Sequence, residues 1–263
     1  MSDAVLLRED GPQGCDGVRL LTLNRPERRN ALSPDLVAAL DDALWAASDD
    51  PEVRVVVLHG TGEKAFCAGG DLGMPSGDGF LGMHDDRGRF AQLLGTFRKI
   101  KTPTIAAVNG MALGGGFGLV LACDLAVAAN SATFGTPEVK RGLFPMMIGR
   151  LIYEVLPRKS ANELVLLGER ISAQAAADLG VVNRVVEPDA LLPETIQMAA
   201  RIAQLSPAVL GLGRRALNRQ LDMPHDAALS HLHDQLTLNT QLEDAAEGVT
   251  AFFEKRDPKF QGR

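Results

Sequence analysis

Between Lys101 and Asp124 the chain carries no charged side chain. The segment reads Thr-Pro-Thr-Ile-Ala-Ala-Val-Asn-Gly-Met-Ala-Leu-Gly-Gly-Gly-Phe-Gly-Leu-Val-Leu-Ala-Cys, and it limits the fold more than any other stretch. It is long enough to suggest a membrane span, but Pro103, Asn109 and five glycines interrupt it. A lipid-facing helix tolerates such interruptions poorly, whereas a buried strand followed by a buried helix accommodates them. The segment therefore predicts a strand over Thr104–Val108 and a short helix opened by Gly114–Gly118. A strand and a helix that are both hidden need further layers around them, which is the signature of an α/β core.

The flanking sequence repeats the alternation. Val18–Asn24 reads as a strand, broken by Arg25-Pro-Glu-Arg-Arg-Asn30. Ser33 is placed to cap a helix with Pro34 in its first turn, and Leu36, Leu40 and Leu44 recur on one face. Val53–His59, apolar after Arg54, predicts a strand buried on both faces. A Gly-rich loop, 60–71, follows it. The segment 72–88 has no clear period and reads as a long loop, with a helix expected from about Arg89 to Ile100. Leu125–Ala129 is a further strand. From Met146 the pattern turns helical, punctuated by Pro157, Ser172, Pro188, Pro207 and Pro224. This divides the chain into a core over 1–205 and a C-terminal helical region over 206–263.

Charge and cysteine content narrow the function. Of 263 residues, 27 are Lys or Arg and 33 are Asp or Glu, a net charge of −6. That balance gives no basic face for nucleic acid, so an anionic ligand would have to meet locally clustered cations. Cys15, Cys67 and Cys123 are odd in number and widely spaced, which suits a reducing, cytoplasmic setting and no zinc site. The acidic start, MSDAVLLRED, lacks the apolar centre of a signal peptide, and no membrane association is expected.

Three segments can carry chemistry. Phe66-Cys-Ala-Gly-Gly-Asp-Leu72 follows a buried strand, and its glycines free the chain to turn so that N–H groups point into a cleft. Asn109-Gly-Met-Ala-Leu-Gly-Gly-Gly-Phe-Gly118 lets a ligand approach the backbone where a helix begins and its N–H groups are unpaired. Phe134-Gly-Thr-Pro-Glu-Val-Lys-Arg-Gly142 places Glu138 in an irregular turn. Taken singly, a tight turn, helix-on-strand packing and a solvated charge explain them equally well. The chain contains no G-x-G-x-x-G dinucleotide fingerprint, no P-loop and no G-x-S-x-G elbow.

In order, these segments resemble the crotonase (enoyl-CoA hydratase/isomerase) superfamily. Leu23-Asn-Arg-Pro-Glu-Arg-Arg-Asn-Ala-Leu32, Leu167-Gly-Glu-Arg-Ile-Ser-Ala173, Ala177-Asp-Leu-Gly-Val-Val182 and Glu247-Gly-Val-Thr-Ala-Phe-Phe-Glu-Lys-Arg256 extend the likeness over nearly the whole chain. The resemblance implies a spiral of ββα units with a helical C-terminal region that assembles trimers or dimers of trimers. It implies an acyl-CoA substrate, with coenzyme A as part of that substrate and no separate cofactor. It implies an oxyanion hole from the N–H groups of Ala68 and Gly115, and Glu138 as the proton-transfer group. Coenzyme A would follow Arg28, Arg29 and the loop Ala68, Gly69, Gly70, Asp71 and Leu72. Gly114 and Pro137 would line the thioester, and Lys255 and Arg256 would meet phosphate, from this chain or a neighbouring subunit.

One position departs from the family pattern. Hydratases of this family carry a second glutamate where this chain has Gly118. The missing group leaves an expected open space above Gly118, and Asp71, His59, Glu63, His84, Asp85 and Asp86 are the nearby candidates to replace it. A lone Glu138 suits double-bond isomerisation, in which one carboxylate removes and returns a proton. The resemblance thus implies an enoyl-CoA hydratase or double-bond isomerase, and the alternatives are another reaction of the family (decarboxylation, dehalogenation, thioester hydrolysis) and a non-catalytic acyl-CoA binder. Leu143-Phe-Pro-Met-Met147 fits an acyl pocket or core packing.

Overall fold

The computed structural model of the chain describes residues 4–71 and 79–263. Its elements are β1 (Leu6–Asp10), β2 (Val18–Leu23), α1 (Pro34–Asp49), β3 (Val55–Gly60), β4 (Ala65–Cys67), α2 (Gly79–Lys99), β5 (Thr104–Val108), β6 (Met111–Leu113), α3 (Gly115–Ala122), β7 (Leu125–Ala129) and β8 (Thr133–Gly135). They continue with α4 (Met146–Val155), α5 (Arg158–Leu167), β9 (Arg170–Ser172), α6 (Ala173–Asp178), β10 (Arg184–Val186), α7 (Leu191–Ala203), α8 (Pro207–Gln220), α9 (His225–Asn239) and α10 (Glu243–Glu254).

Pairs of strands are followed by helices: β3 and β4 lead to α2, β5 and β6 to α3, and β7 and β8 to a 3-10 turn and α4. The first strand of each pair joins one sheet, of order β1-β2-β3-β5-β7-β10, and the second joins another, of order β4-β6-β8-β9. The chain thus winds as a spiral of ββα turns. In the larger sheet β2, β3, β5, β7 and β10 run parallel, with Val57 beside Ile105 and Ala107 beside Val127. Strand β1 pairs antiparallel at the edge.

Burial on both faces explains why these strands do not alternate. Val56, Leu58, Ala106 and Val108 face one core with Leu36, Leu40 and Leu44 of α1 and Phe97 of α2. Val55, Val57, Ile105 and Ala107 face the other, closed by Leu191, Met198 and Ala199 of α7. Helix α1 starts where expected: the Ser33 hydroxyl accepts from the Leu36 N–H at 3.3 Å. Helix α2 begins a full ten residues earlier than its periodicity suggested, at Gly79 rather than Arg89. Phe80 and Leu81 in its first turns stay exposed, so no apolar stripe marks that part in the sequence.

Helix α8 is fastened to this core through Arg214 and through Asn218, whose carbonyl accepts from Arg98 of α2 at 2.6 Å. Arg214 reaches both oxygens of Asp124 at 2.7 and 2.8 Å and also donates to the Ile100 and Phe97 carbonyls. Asp124 in turn accepts from the Thr104 N–H and hydroxyl. Beyond α10 the tail folds back. The buried Asp244 accepts from the Ser206 hydroxyl and from the N–H groups of Gln261 and Gly262. Among the described residues no helix is long and apolar enough to cross a membrane.

Candidate active site

Strands β4, β6 and β8 are parallel neighbours, so their C-terminal ends lie side by side. Each is followed within a few residues by a group of chemical interest: Gly70, Gly115 and Glu138. Ligands commonly gather at the carboxyl ends of parallel strands for this reason. A cleft of about 280 Å³ opens there, lined by Arg28, Ala31, Ala68, Gly69, Gly70, Asp71, Gly114, Pro137, Glu138, Arg141 and Leu143.

The loop after β4 is held against residues 29–32. The Ala68 N–H donates to the Arg29 carbonyl at 3.0 Å, Leu32 N–H to the Gly69 carbonyl at 2.8 Å, and Asp71 N–H to the Leu32 carbonyl at 3.1 Å. The expectation for Ala68 is thereby corrected, because its N–H is already paired and only its backbone lines the cleft. Leu32 and Gly70 form a parallel bridge, in which the flanking C=O and N–H of the loop meet Leu32 and the bridged residue's own N–H does not. With Gly69 C=O and Asp71 N–H turned to Leu32, the Gly70 N–H turns away from that strand, and among the described residues it has no acceptor.

Buried polar side chains fix this loop. Arg25 pairs with Asp71 at 2.9 Å, with only 11% and 7% of the two side chains exposed. Asn30 is fully buried; its amide nitrogen donates to the Thr61 and Ala65 carbonyls, and its oxygen accepts from Arg25 N–H. Arg29 and Asn30 both take positive φ, 53° and 54°, to make the turn. Asp71, expected to contact coenzyme A, directs its carboxylate to Arg25. Leu72 lies outside the described residues.

Gly115 is the first residue of α3, and its N–H, like those of any first helical turn, has no partner within the helix. A methyl group on Gly69 would stand 3.4 Å from the Gly115 nitrogen, so the two loops nearly touch. Behind Gly115 stand Leu32 and Phe90, 3.0 and 3.2 Å from where its Cβ would be. Gly114 has φ 52° and ψ −123°, a conformation closed to other residues.

Glu138 sits in the 3-10 turn Pro137–Arg141. The preceding Thr136 is buried and donates its hydroxyl proton to the Leu164 carbonyl at 2.8 Å, which anchors the turn on α5. The Glu138 carboxylate lies over Gly114: Oε1 is 2.7 Å from the position of a Cβ there. Its Oε2 is buried and has no hydrogen-bond partner among the described residues. Burial raises the Glu138 pKa above the usual carboxylate value, against its own backbone N–H and the nearby Arg141 charge.

The space above Gly118 is not open. The Cγ2 methyl of Ile148 fills it, and the Ile148 Cβ and Leu94 Cδ2 lie 3.3 and 3.7 Å from a notional Cβ. Of the candidate substitutes for a second acid, Asp71 lines the cleft but its carboxylate is paired with Arg25, and the others are not part of the lining. His59 hydrogen-bonds the Ala107 carbonyl at 3.0 Å, and burial lowers its pKa, which keeps it neutral. Glu63, His84 and Asp85 are exposed. Burial pushes the Cys67 thiol up to about 12.

Among the expected coenzyme A contacts, Arg28 lines the cleft and the exposed Arg29 adjoins it in sequence. Lys255 and Arg256 end α10 and are not part of the lining. Arg256 is engaged by Glu247 and Glu254 at 2.6 Å each, so its charge is already answered within the chain. Arg141 and the Arg25–Asp71 pair were not anticipated. A cation three residues after the Pro-Glu pair was the available signal for the first. For the second, nothing in the spacing links residues 25 and 71.

Comparison with known proteins gives a consistent picture. A family model described as enoyl-CoA hydratase/isomerase matches residues 13–263. The chain is 40% identical over 249 residues to 2,3-dehydroadipyl-CoA hydratase of Escherichia coli K12, covering 94% of this chain and 96% of that one. It is 36% identical to crotonyl-CoA hydratase of Syntrophomonas wolfei, over 92% of this chain and 93% of the relative. Among solved structures, enoyl-CoA hydratase of Mycobacterium smegmatis superposes with a TM-score of 0.92 at 36% identity, covering 98% and 99% of the two chains. That of Bacillus anthracis superposes at 0.93 and 32% identity, covering 99% and 100%.

Proposed function

The chain belongs to the enoyl-CoA hydratase/isomerase family, and on that premise we propose that it moves a proton beside an acyl-CoA thioester with Glu138 as its one carboxylate. The observation that carries this is the placement of Glu138 Oε2, buried and with no hydrogen-bond partner among the described residues, at a cleft adjoined by two backbone N–H groups that are likewise unpaired among those residues. Those donors are Gly70 and Gly115. Removing the α-proton of a thioester puts negative charge on the carbonyl oxygen, and each fixed donor at such an oxyanion typically contributes roughly 2.7–4 kcal/mol to the transition state. The positive end of α3 adds to the Gly115 bond.

The reaction that suits one carboxylate is isomerisation of a 3-enoyl-CoA to a 2-enoyl-CoA. Glu138 breaks the C–H bond at Cα, the double bond shifts toward the thioester, and the same proton forms a C–H bond at Cγ. A raised carboxyl pKa favours both halves, since the group must release what it takes. Hydration through Glu138 is the second reading, favoured by the hydratase names of the relatives. Both use the chain's own groups and the coenzyme A of the substrate.

The rest of the reading is proposed on the same footing. Arg28, Arg29 and the 68–71 loop lead coenzyme A to the thioester, with Gly114 and Pro137 beneath it. Exposed Leu236, Leu238, Val249, Phe252 and Phe253 on α9 and α10 support a trimer or dimer of trimers built on residues 206–263. In such an assembly Lys255 of a neighbour would reach phosphate. Free cysteines support a cytoplasmic site of action. The test is turnover of crotonyl-CoA and 3-hexenoyl-CoA by the purified protein. Conversion of the 3-enoyl thioester, lost in Glu138→Gln, is the expected result; inertness toward both thioesters would overturn it.

A further inference from the structure

Gly118 stands one turn into α3, its N–H donating to the Gly114 carbonyl at 3.0 Å. Side chains on a helix lean toward its N-terminus, so a side chain at residue 118 would lean over the turn that carries Gly114 and Gly115. That is where the Glu138 carboxylate lies. The room such a side chain needs is taken by Ile148, in the first turn of α4, which is 3% exposed. Leu94 of α2 closes the other side.

We infer that Ile148 sets the reaction type of this site, by filling with hydrocarbon the place from which a residue-118 side chain would hold water. This rests on the reading of Glu138 as the single proton-transfer group. Hydration forms a C–O bond at Cβ and a C–H bond at Cα, both from one water, and so needs a polar group that positions that water. Isomerisation takes a proton from Cα and returns it to Cγ, and water in the site is only a competitor. A branched aliphatic side chain packed on a bare glycine removes the first possibility and protects the second. Gly118 and Ile148 therefore act as a pair, and neither position can be converted without the other.

The test compares wild type, Ile148→Ala, Gly118→Glu and the double variant. Crotonyl-CoA hydration, 3-hexenoyl-CoA isomerisation and thermal unfolding are measured on each. Gly118→Glu is expected to lose stability and gain no hydration. The double variant is expected to recover most of that stability and to raise the hydration-to-isomerisation ratio by about tenfold or more, within the range of general acid–base effects. A folded double variant with an unchanged ratio overturns the inference, as does a single Gly118→Glu that matches the double. Should the double variant fail to fold, Gly118→Ala decides: alanine normally stabilises a helix interior over glycine. Here it must lower the unfolding temperature, and Ile148→Ala must relieve that loss. Additive shifts overturn the inference. If wild type is inert toward both thioesters, the assignment of Glu138 fails, while the thermal coupling still decides whether Ile148 occupies the room of residue 118.

Discussion

The Glu138 carboxylate rests on the bare Cα of Gly114, with Oε1 2.7 Å from where a Cβ would be. The glycine is required twice, for this approach and for its φ of 52° with ψ −123°. Gly114→Ala should therefore cost about 1–3 kcal/mol in backbone strain and also displace the carboxylate. Thermal unfolding and turnover should fall together; a variant with wild-type turnover would show that Glu138 does not depend on this contact.

Replacing Glu138 by Gln keeps the shape and removes the base, so turnover should fall by about 10²–10⁴-fold. The effect on stability has the opposite sign. Burial raises the folded pKa of Glu138 above its unfolded value. The cost of that burial is absent below the unfolded pKa and grows until pH passes the folded one. Unfolding temperatures of wild type and variant should thus converge in acid and favour the variant at neutral pH. A variant equally stable relative to wild type at every pH would contradict the raised pKa.

Arg141 opposes that rise through its charge. In wild type, activity should decline with falling pH at a point above the ordinary carboxyl range. Arg141→Gln should move this decline to still higher pH. A shift in the other direction, read from kcat/KM profiles, would mean that the two charges do not sense each other.

The Arg25–Asp71 pair is nearly buried and holds the loop that presents Gly70. Asp71→Asn should cost about 3–5 kcal/mol, the usual result of stranding one charge of a buried pair. Turnover should fall with stability although neither residue performs chemistry. Full turnover in a destabilised variant would show that the loop keeps its place without the pair.

The central strands were legible because burial on both faces leaves an unbroken apolar run; Thr104–Val108 and Leu125–Ala129 needed no adjustment. The second sheet was not. Its strands are three residues each, too short to show any period. Gly115 at the start of α3 and Glu138 in the turn after β8 could be located from their motifs, while their roles remain those of the proposed reading. The choice between Ala68 and Gly70 as donor could not, because it depends on which amides residues 29–32 consume, and that partner lies some forty positions away. Ile148 was hidden for a similar reason: the absence of a side chain at Gly118 says nothing of what moves in to replace it.

Strands β4, β6 and β8 each deliver one functional group, from a separate turn of the spiral and through a separate loop. Each of these loops can consequently vary in sequence while the strands that carry the others stay in place, except where, as at Gly118 and Ile148, two positions contend for one space. On the proposed reading, a change after β8 can alter Glu138 without disturbing the Gly70 and Gly115 amides after β4 and β6, and the bare Gly118 leaves both amides in place. A lineage built on this scaffold can acquire a new reaction by changes at a few loop and helix-start positions, made together where two side chains share one space.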